Sequence, residues 1–225
     1  MDDHSRRFLA LARDAQALRF GTFTLKSGRS SPYFFNAGRF DSGAALVALA
    51  TCYADAIEAS GLDFDLLFGP AYKGIPLATA LACEFARRGR DLPVAFNRKE
   101  AKAHGEGGNL IGAPLADRRV LVVDDVITAG TAIREALALI DAAGGSTVGV
   151  VIALDRQEVP GGDAVAPGAP RLSAAQALSA SHGLPVVAVA SLADLLAFAG
   201  ETATLAAERD RLHAYRARYG STDAT

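Results

Sequence analysis

The stretch VLVVDDVITAGTA, residues 120–132, holds the densest chemistry in the chain. Four apolar residues read as a buried strand, which ends in the acidic pair Asp124–Asp125. Val126, Ile127, Thr128, Ala129 and Gly130 then form a loop, and a helix opens at Thr131 and Ala132. In an open α/β sheet, ligands sit beyond the carboxyl ends of strands. A helix N-terminus there offers unpaired N–H groups and a partial positive charge. Gly130 lets the backbone approach an anion closely, and the threonine hydroxyls add donors. Such a loop suits a monophosphate. Two acids beside it make sense if the phosphate rides on a sugar whose hydroxyls need acceptors. A Walker-B strand also ends in acids, but the chain has no G-x-x-x-x-G-K-[ST] loop to accompany one. Acids in a plain βα loop could also simply cap the helix.

A second cluster, FNRKEAKAHGEGGNLIG over residues 96–112, gathers Arg98, Lys99, Lys102 and His104 ahead of three glycines. A charge run is usually a solvated loop. A cationic loop hinged on glycine is also what a lid over a pyrophosphate should be. With the first motif beside it, the lid is the better reading. FGPAYKGIP, residues 68–76, ends a strand in a Gly/Pro loop that presents Tyr72 and Lys73 to a diphosphate. TLKSGRSSPYFFN, residues 24–36, offers Lys26 and the pair Phe34–Phe35, whose side chains face opposite ways on a strand. Arg156, in ALDRQE, stands just past a strand end, where its fork could meet a carboxylate.

The elements that must position these groups follow from periodicity. An amphipathic N-terminal helix carries Phe8, Leu11, Ala15 and Leu18 on one face, and Gly21–Phe40 reads as a hairpin-like lobe. Helices are expected over 44–59, 74–88, 131–143 and 202–218. Strands are expected at Leu66–Phe68, Pro93–Phe96, Val120–Val123, Thr147–Leu154 and Val186–Val189. Strands apolar on both faces, alternating with helices, predict an α/β fold with a central, mainly parallel sheet flanked by helices. Residues 159–171, VPGGDAVAPGAPR, read as a surface insertion, and the STDAT tail as a frayed end. One domain over 1–225 is expected: an N-terminal helix and hood over 1–40, an α/β core over 41–200, and a closing helix and tail over 201–225.

Composition narrows the functions. The chain has 225 residues, half of them hydrophobic, and a formal net charge of −2, which argues against a general nucleic-acid or membrane-surface binder. Any anionic ligand must then be met by local positive charge. The two cysteines, Cys52 and Cys83, lie in Ala/Leu-rich stretches and read as reduced core residues. There is no signal-peptide pattern and no apolar run near ~18 residues, so a soluble, cytoplasmic protein is expected.

The thirteen-residue motif resembles the signature of the type I phosphoribosyltransferases, which bind phosphoribosyl pyrophosphate (PRPP). The five segments together, in order and rough spacing, resemble the orotate phosphoribosyltransferases, with the Lys26/Phe34–Phe35 segment and the RKEAKAHGEGG loop pointing to the orotate branch. The resemblance covers most of residues 5–158 and resumes in the C-terminal strand and helices; the 159–171 insertion stands apart from it. It implies that Lys26, Tyr72, Lys73, Lys99 and Asp124–Ala132 contact PRPP, together with Arg98, Lys102 and His104 delivered from a neighbouring subunit. The enzyme would then be a homodimer with shared sites. It further implies that Phe34, Phe35, Thr128 and Arg156 hold orotate. Lys102, Asp124 and Asp125 would carry catalysis, and Mg²⁺ would be bound through PRPP rather than by a protein ligand set.

That chemistry suits the residues. Pyrophosphate leaves through a cationic, oxocarbenium-like state that needs charge neutralised on the leaving group, fixed ribose hydroxyls and exclusion of water. A purine-base phosphoribosyltransferase is the nearest rival. A PRPP-sensing regulator would carry an added DNA-binding segment and need no basic lid. A fused decarboxylase barrel, itself about 250 residues, does not fit the length.

Overall fold

The computed structural model describes residues 1–102, 108–161, 171–201 and 205–222, with the side chains of 101, 102 and 108 outside the description. The chain opens with α1 (Asp3–Asp14), then the antiparallel hairpin of β1 (Leu18–Thr24) and β2 (Ser30–Phe35), and a 3₁₀ turn over Ala37–Arg39. Next come α2 (Gly43–Ser60), β3 (Leu66–Gly69), α3 (Gly74–Arg87), β4 (Val94–Lys102) and β5 (Gly108–Gly112). The second half holds β6 (Arg119–Asp124), α4 (Thr131–Ala142), β7 (Ser146–Asp155), α5 (Ala174–His182), β8 (Val186–Ser191), α6 (Leu192–Gly200) and α7 (Ala206–Tyr219).

Six strands form one sheet in the order β5-β4-β3-β6-β7-β8, parallel except for the β4–β5 pair. Strand alternation splits the core into two layers. Leu67, Leu121, Val123, Val151 and Ala153 face the larger layer, which includes α1, α2, α3 and α6. Leu66, Phe68, Val120, Val122, Val150 and Ile152 face the layer of α4 and α5. Helix α4 buries Ile133, Ala136 and Ile140, a stripe at helical spacing. Ser42 caps α2 through the Ala45 N–H, and Ser173 and Ser191 begin α5 and α6 with capping boxes.

From β3 the chain moves outward to β4 on one side, and from β6 outward to β7 and β8 on the other. The order therefore reverses between β3 and β6, and the crevice beyond their carboxyl ends is the place where such sheets bind ligands. The β1–β2 hairpin, the expected hood, is held by α7: Arg211 Nη2 donates to the Gly21 carbonyl at 2.6 Å and to Thr22 Oγ1 at 2.8 Å.

Several expectations need correction. Helix α1 stops at Asp14, Gln16 turns left-handed (φ 56°), and Leu18 begins β1, so Leu18 does not continue the helical face. The buried stripe of α1 is Ser5, Phe8, Leu9 and Ala12. Cys83 is exposed, because it lies two residues from buried Leu81, about 200° around the helix. The basic stretch is no plain loop: β4 runs on to Lys102 and pairs back with β5, Asn97 opposite Leu110 and Lys102 opposite Gly108. Helices α5 and α6 add to the four helices that periodicity places after α1. The central part of the 159–171 insertion, 162–170, lies outside the described residues. At its borders, Val159 is buried and donates to the Tyr219 carbonyl, and Arg171 Nε donates to the Gly220 carbonyl.

A Cβ on Gly69 would stand 2.3 Å from the Gly74 carbonyl oxygen, a backbone clash that cannot be relieved by a side-chain rotation. Gly69→Ala should therefore lower unfolding stability by roughly 1–3 kcal/mol, the usual scale of overpacking. Gly43 meets nothing within 4 Å. Gly43→Ala, its control, should stay within about 0.5 kcal/mol in the same urea titration.

Candidate active site

The site begins at the end of β6. Asp124 and Asp125 are both buried, and their backbone is pinned from two sides. Tyr53 of α2 donates its hydroxyl to the Asp124 carbonyl at 2.8 Å, and Ala153 N–H of β7 donates to the Asp125 carbonyl at 2.9 Å. Asp124 Oδ1 accepts from the Asp125 N–H at 2.9 Å. Burial, then the neighbouring Asp125 charge, pushes the Asp124 carboxyl up to about 7.

Beyond the acids the loop is anchored alternately. Ile127 is buried in the α4 layer, Val126 packs against the other layer, and Thr128 and Ala129 are exposed. Gly130 adopts the left-handed conformation (φ 71°) as N-cap of α4, with no side-chain cap hydrogen bond. The first N–H groups of α4 are thus left for a ligand rather than consumed by a side chain. A pocket of about 120 Å³ lies here, lined by Asp124 and residues 126–133. That is well below the roughly 300–1,000 Å³ of an ordinary small-molecule pocket, so its size suits a small anionic group rather than a whole nucleotide.

Across the crevice, the loop after β3 folds tightly between Gly69 and Gly74, whose added Cβ would lie 2.6 Å from the Val123 carbonyl oxygen. The Ala71–Tyr72 peptide is cis. Asn97 of β4 accepts from the Ala71 N–H at 2.9 Å, a role that nothing in its local sequence signals. This loop carries Lys73, whose Nζ lies 2.6 Å from Asp125 Oδ2, and Tyr72, whose exposed ring stands 4.8 Å from Lys99 Nζ. The structure therefore joins Tyr72, Lys73, Lys99 and the two acids into one mouth. Arg98 lies on the same strand as Lys99, half-buried. The Lys102 side chain and all of His104 lie outside the described residues.

Lys26 is exposed at the hairpin tip, where the Gly28 N–H donates to the Leu25 carbonyl. The phenylalanine pair divides as a strand requires. Phe35 packs on Phe8 and Phe40, whereas Phe34 packs on Phe23 at 5.5 Å with the Arg19 guanidinium 5.6 Å from its ring. Arg156 already holds a carboxylate: its Nη2 lies 2.9 Å from Glu158 Oε1. Glu158 and Tyr53 are thus further residues that sequence reasoning misses. Glu158 stands in the ALDRQE segment beside Arg156, while Tyr53 gives no local signal.

Among the described residues no group of three or more His, Cys, Asp or Glu side chains is placed to hold a metal ion. The hard oxygens of Asp124 and Asp125 beside the pocket are compatible with Mg²⁺ carried mainly by diphosphate oxygens and water, with no dedicated protein ligand set.

A parallel sheet whose switch point presents a glycine-capped helix, two acids and an opposing lysine loop defines a phosphoribosyl transferase domain, and the family model of that description matches residues 40–161. The chain is 71% identical over 225 residues, all of both chains, to an orotate phosphoribosyltransferase of Xanthomonas euvesicatoria pv. vesicatoria. It resembles the crystal structure of an orotate phosphoribosyltransferase from Francisella tularensis at 41% identity, with a TM-score of 0.81 over 95% of this chain and 99% of that one. The Mycobacterium tuberculosis orotate phosphoribosyltransferase in complex with PRPP matches at 25% identity and a TM-score of 0.62, over 84% of this chain and 98% of that one. The chain belongs to the orotate phosphoribosyltransferase family.

The raised Asp124 carboxyl gives a pH signature. Its folded-state value lies above the ordinary 3.8, so its contribution to stability is fully present below that value and is lost as pH rises through about 7. Asp124→Asn should be close to neutral near pH 4. At pH 8 it should be stabilising by up to about 4 kcal/mol, since each tenfold change in proton affinity is worth ~1.4 kcal/mol. Denaturant midpoints of the ligand-free protein across pH 4–8 check this; an equal effect at both ends counts against it.

Proposed function

We propose that the chain transfers the 5-phosphoribosyl group from PRPP to orotate, forming orotidine 5′-phosphate and pyrophosphate in pyrimidine biosynthesis. The observation that carries this reading is the meeting, at the β3/β6 switch point, of the uncapped α4 N-terminus, Asp124–Asp125 and the Lys73 loop. The family of the full-length relatives supports orotate as the base.

In this reading the α4 N-terminus and residues 126–132 take the 5-phosphate. Asp124 and Asp125 accept hydrogen bonds from the ribose hydroxyls and lie close to the positive charge that develops on the ring. Lys73 exchanges Asp125 for pyrophosphate oxygens, and Tyr72, Arg98, Lys99 and Lys26 serve the same anion. The bond from C1′ to the pyrophosphate oxygen breaks as a bond from a ring nitrogen of orotate forms, and the proton that nitrogen carried passes to the released pyrophosphate or to water. Mg²⁺, when bound to PRPP, neutralises negative charge on the leaving group. Phe34, Phe35 and Thr128 bound the base, and Arg156 meets its carboxylate. Arg98 and Lys102, on β4, and His104, outside the described residues, are delivered to the neighbouring subunit of a homodimer, where Lys102 neutralises departing pyrophosphate. Residues 1–225 work as one domain, in the cytoplasm; among the described residues no helix is long and apolar enough to cross a membrane.

The direct test is loss of orotate absorbance with PRPP and Mg²⁺, run beside a panel of purine bases. Turnover of a purine with none of orotate overturns the reading. In that assay Lys102→Ala should lower kcat by roughly 10²–10³, the scale for removing one preorganised electrostatic group. A kcat within about threefold of the parent would reject the lid role.

Subunit mixing tests the shared site. Lys102→Ala and Asp125→Asn homodimers are each damaged at both sites. In a mixed dimer one site receives both defects and the other neither. Co-refolding equal amounts gives about half mixed dimers, so about a quarter of parental activity should return in a two-fold symmetric assembly. No recovery after proven exchange would place Lys102 in its own subunit's site.

A further inference from the structure

Between the β1–β2 hairpin, the end of β7 and the end of α7 lies a buried polar cluster that the transfer reaction itself leaves largely unused. Tyr33, Arg29, Tyr215 and Tyr219 are all buried, and Glu158 has a side chain only 10% exposed. Glu158 Oε1 is the hub. It accepts from the Tyr33 hydroxyl at 3.0 Å and from Arg156 Nε at 3.1 Å, with Arg156 Nη2 at 2.9 Å. The Arg156 guanidinium also lies 5.3 Å from the centre of the Tyr33 ring, which meets Tyr215 edge-on at 6.2 Å.

Glu158 is fixed at the backbone as well. It forms an isolated antiparallel bridge with Gly220, flanked by Val159 N–H donating to the Tyr219 carbonyl at 3.0 Å and Ser221 N–H donating to the Gln157 carbonyl at 2.8 Å. Arg29 Nη1 donates to the Val159 carbonyl at 2.8 Å, and the Gln157 N–H donates to Asp155 Oδ1 at 2.8 Å. The segment that carries Arg156 and Glu158 is therefore stitched on one edge to the chain's C-terminal residues and on another to the hood.

We propose that Glu158 is a positioning residue: held by Tyr33 and by the Tyr219–Ser221 strap, it fixes the Arg156 guanidinium to receive the carboxylate of the incoming base. This rests on the reading of the base as orotate. A long arginine side chain loses rotamer freedom when it is fixed, and a resident partner moves that loss from binding to folding. Stability alone is a weak reason for such a pair, since a buried ion pair is often matched or bettered by apolar packing. Glu158 is also badly placed to act as a removable plug for Arg156, because its oxygen serves Tyr33 and its backbone is bridged.

The test is a double-mutant cycle read on two Michaelis constants. Glu158→Gln keeps shape and removes charge. It should raise KM for orotate about tenfold, on the scale of a slightly misplaced binding group, and leave KM for PRPP within about twofold. In an Arg156→Ala background the same change should add less than about twofold, because a residue acting through Arg156 has nothing left to position. Ser221→Pro removes one strap hydrogen bond without touching the cluster and should reproduce the orotate-selective rise; it decides the matter alone if Glu158→Gln does not fold. An unchanged or lowered KM for orotate, equal rises in both constants, or additivity with Arg156→Ala overturns the positioning role while leaving the activity intact. A parent enzyme with no orotate turnover overturns the activity and this inference together.

Discussion

The close approach of two backbones at the sheet's switch point governs the rest of the site. The loop after β3 must fold back between Gly69 and Gly74 and lie against the Val123 carbonyl, where an added Cβ would sit 2.3–2.6 Å from backbone oxygen. Only because that space is empty can the loop lean across the end of β6 and bring Lys73 within 2.6 Å of Asp125. The pocket at the α4 N-terminus, lined by Asp124 and residues 126–133, lies beside the same two acids.

The charge arrangement follows from a chain whose formal net charge is −2 yet whose substrates are anions. Two cations proposed to meet them are held by resident carboxylates: Lys73 by Asp125, and Arg156 by Glu158. The pairs differ in burial, and burial decides what each can do. Lys73 has a side chain 52% exposed, so water readily takes over its partner's role and the lysine is free to change partners. Arg156 and Glu158 are 21% and 10% exposed and share Tyr33, so separating them would strand a charge away from water. One pair suits exchange, the other suits orientation.

The acids themselves are divided by their surroundings. Asp125 has Lys73 opposite it, whereas Asp124 is buried beside a like charge and holds its proton to about 7. Tyr53 and Ala153 fix both by binding the carbonyls rather than the carboxylates.

The sequence by itself determined the parts whose information is local. VLVVDDVITAGTA specifies strand, acids, glycine-capped turn and helix within thirteen residues, because apolar runs, left-handed glycine and helix starts are short-range properties. The alternating strands and helices gave the α/β class for the same reason, and the Phe34–Phe35 division followed from strand geometry alone. Tertiary structure decided whatever depended on distant partners. The charge run after Phe96 joins β4 as far as Lys102 because β5 returns to pair with it, a contact that outweighs its loop-like composition. Cys83 turned outward because the packing of Leu77, Leu81 and Phe85 set the rotation of α3. Tyr53 reached Asp124 across 71 residues, and Glu158 met Tyr33, 125 residues earlier, and bridged to Gly220. Short-range sterics write themselves into neighbouring residue types; a hydrogen bond across the fold leaves no such trace, since either partner alone looks like an ordinary tyrosine or glutamate.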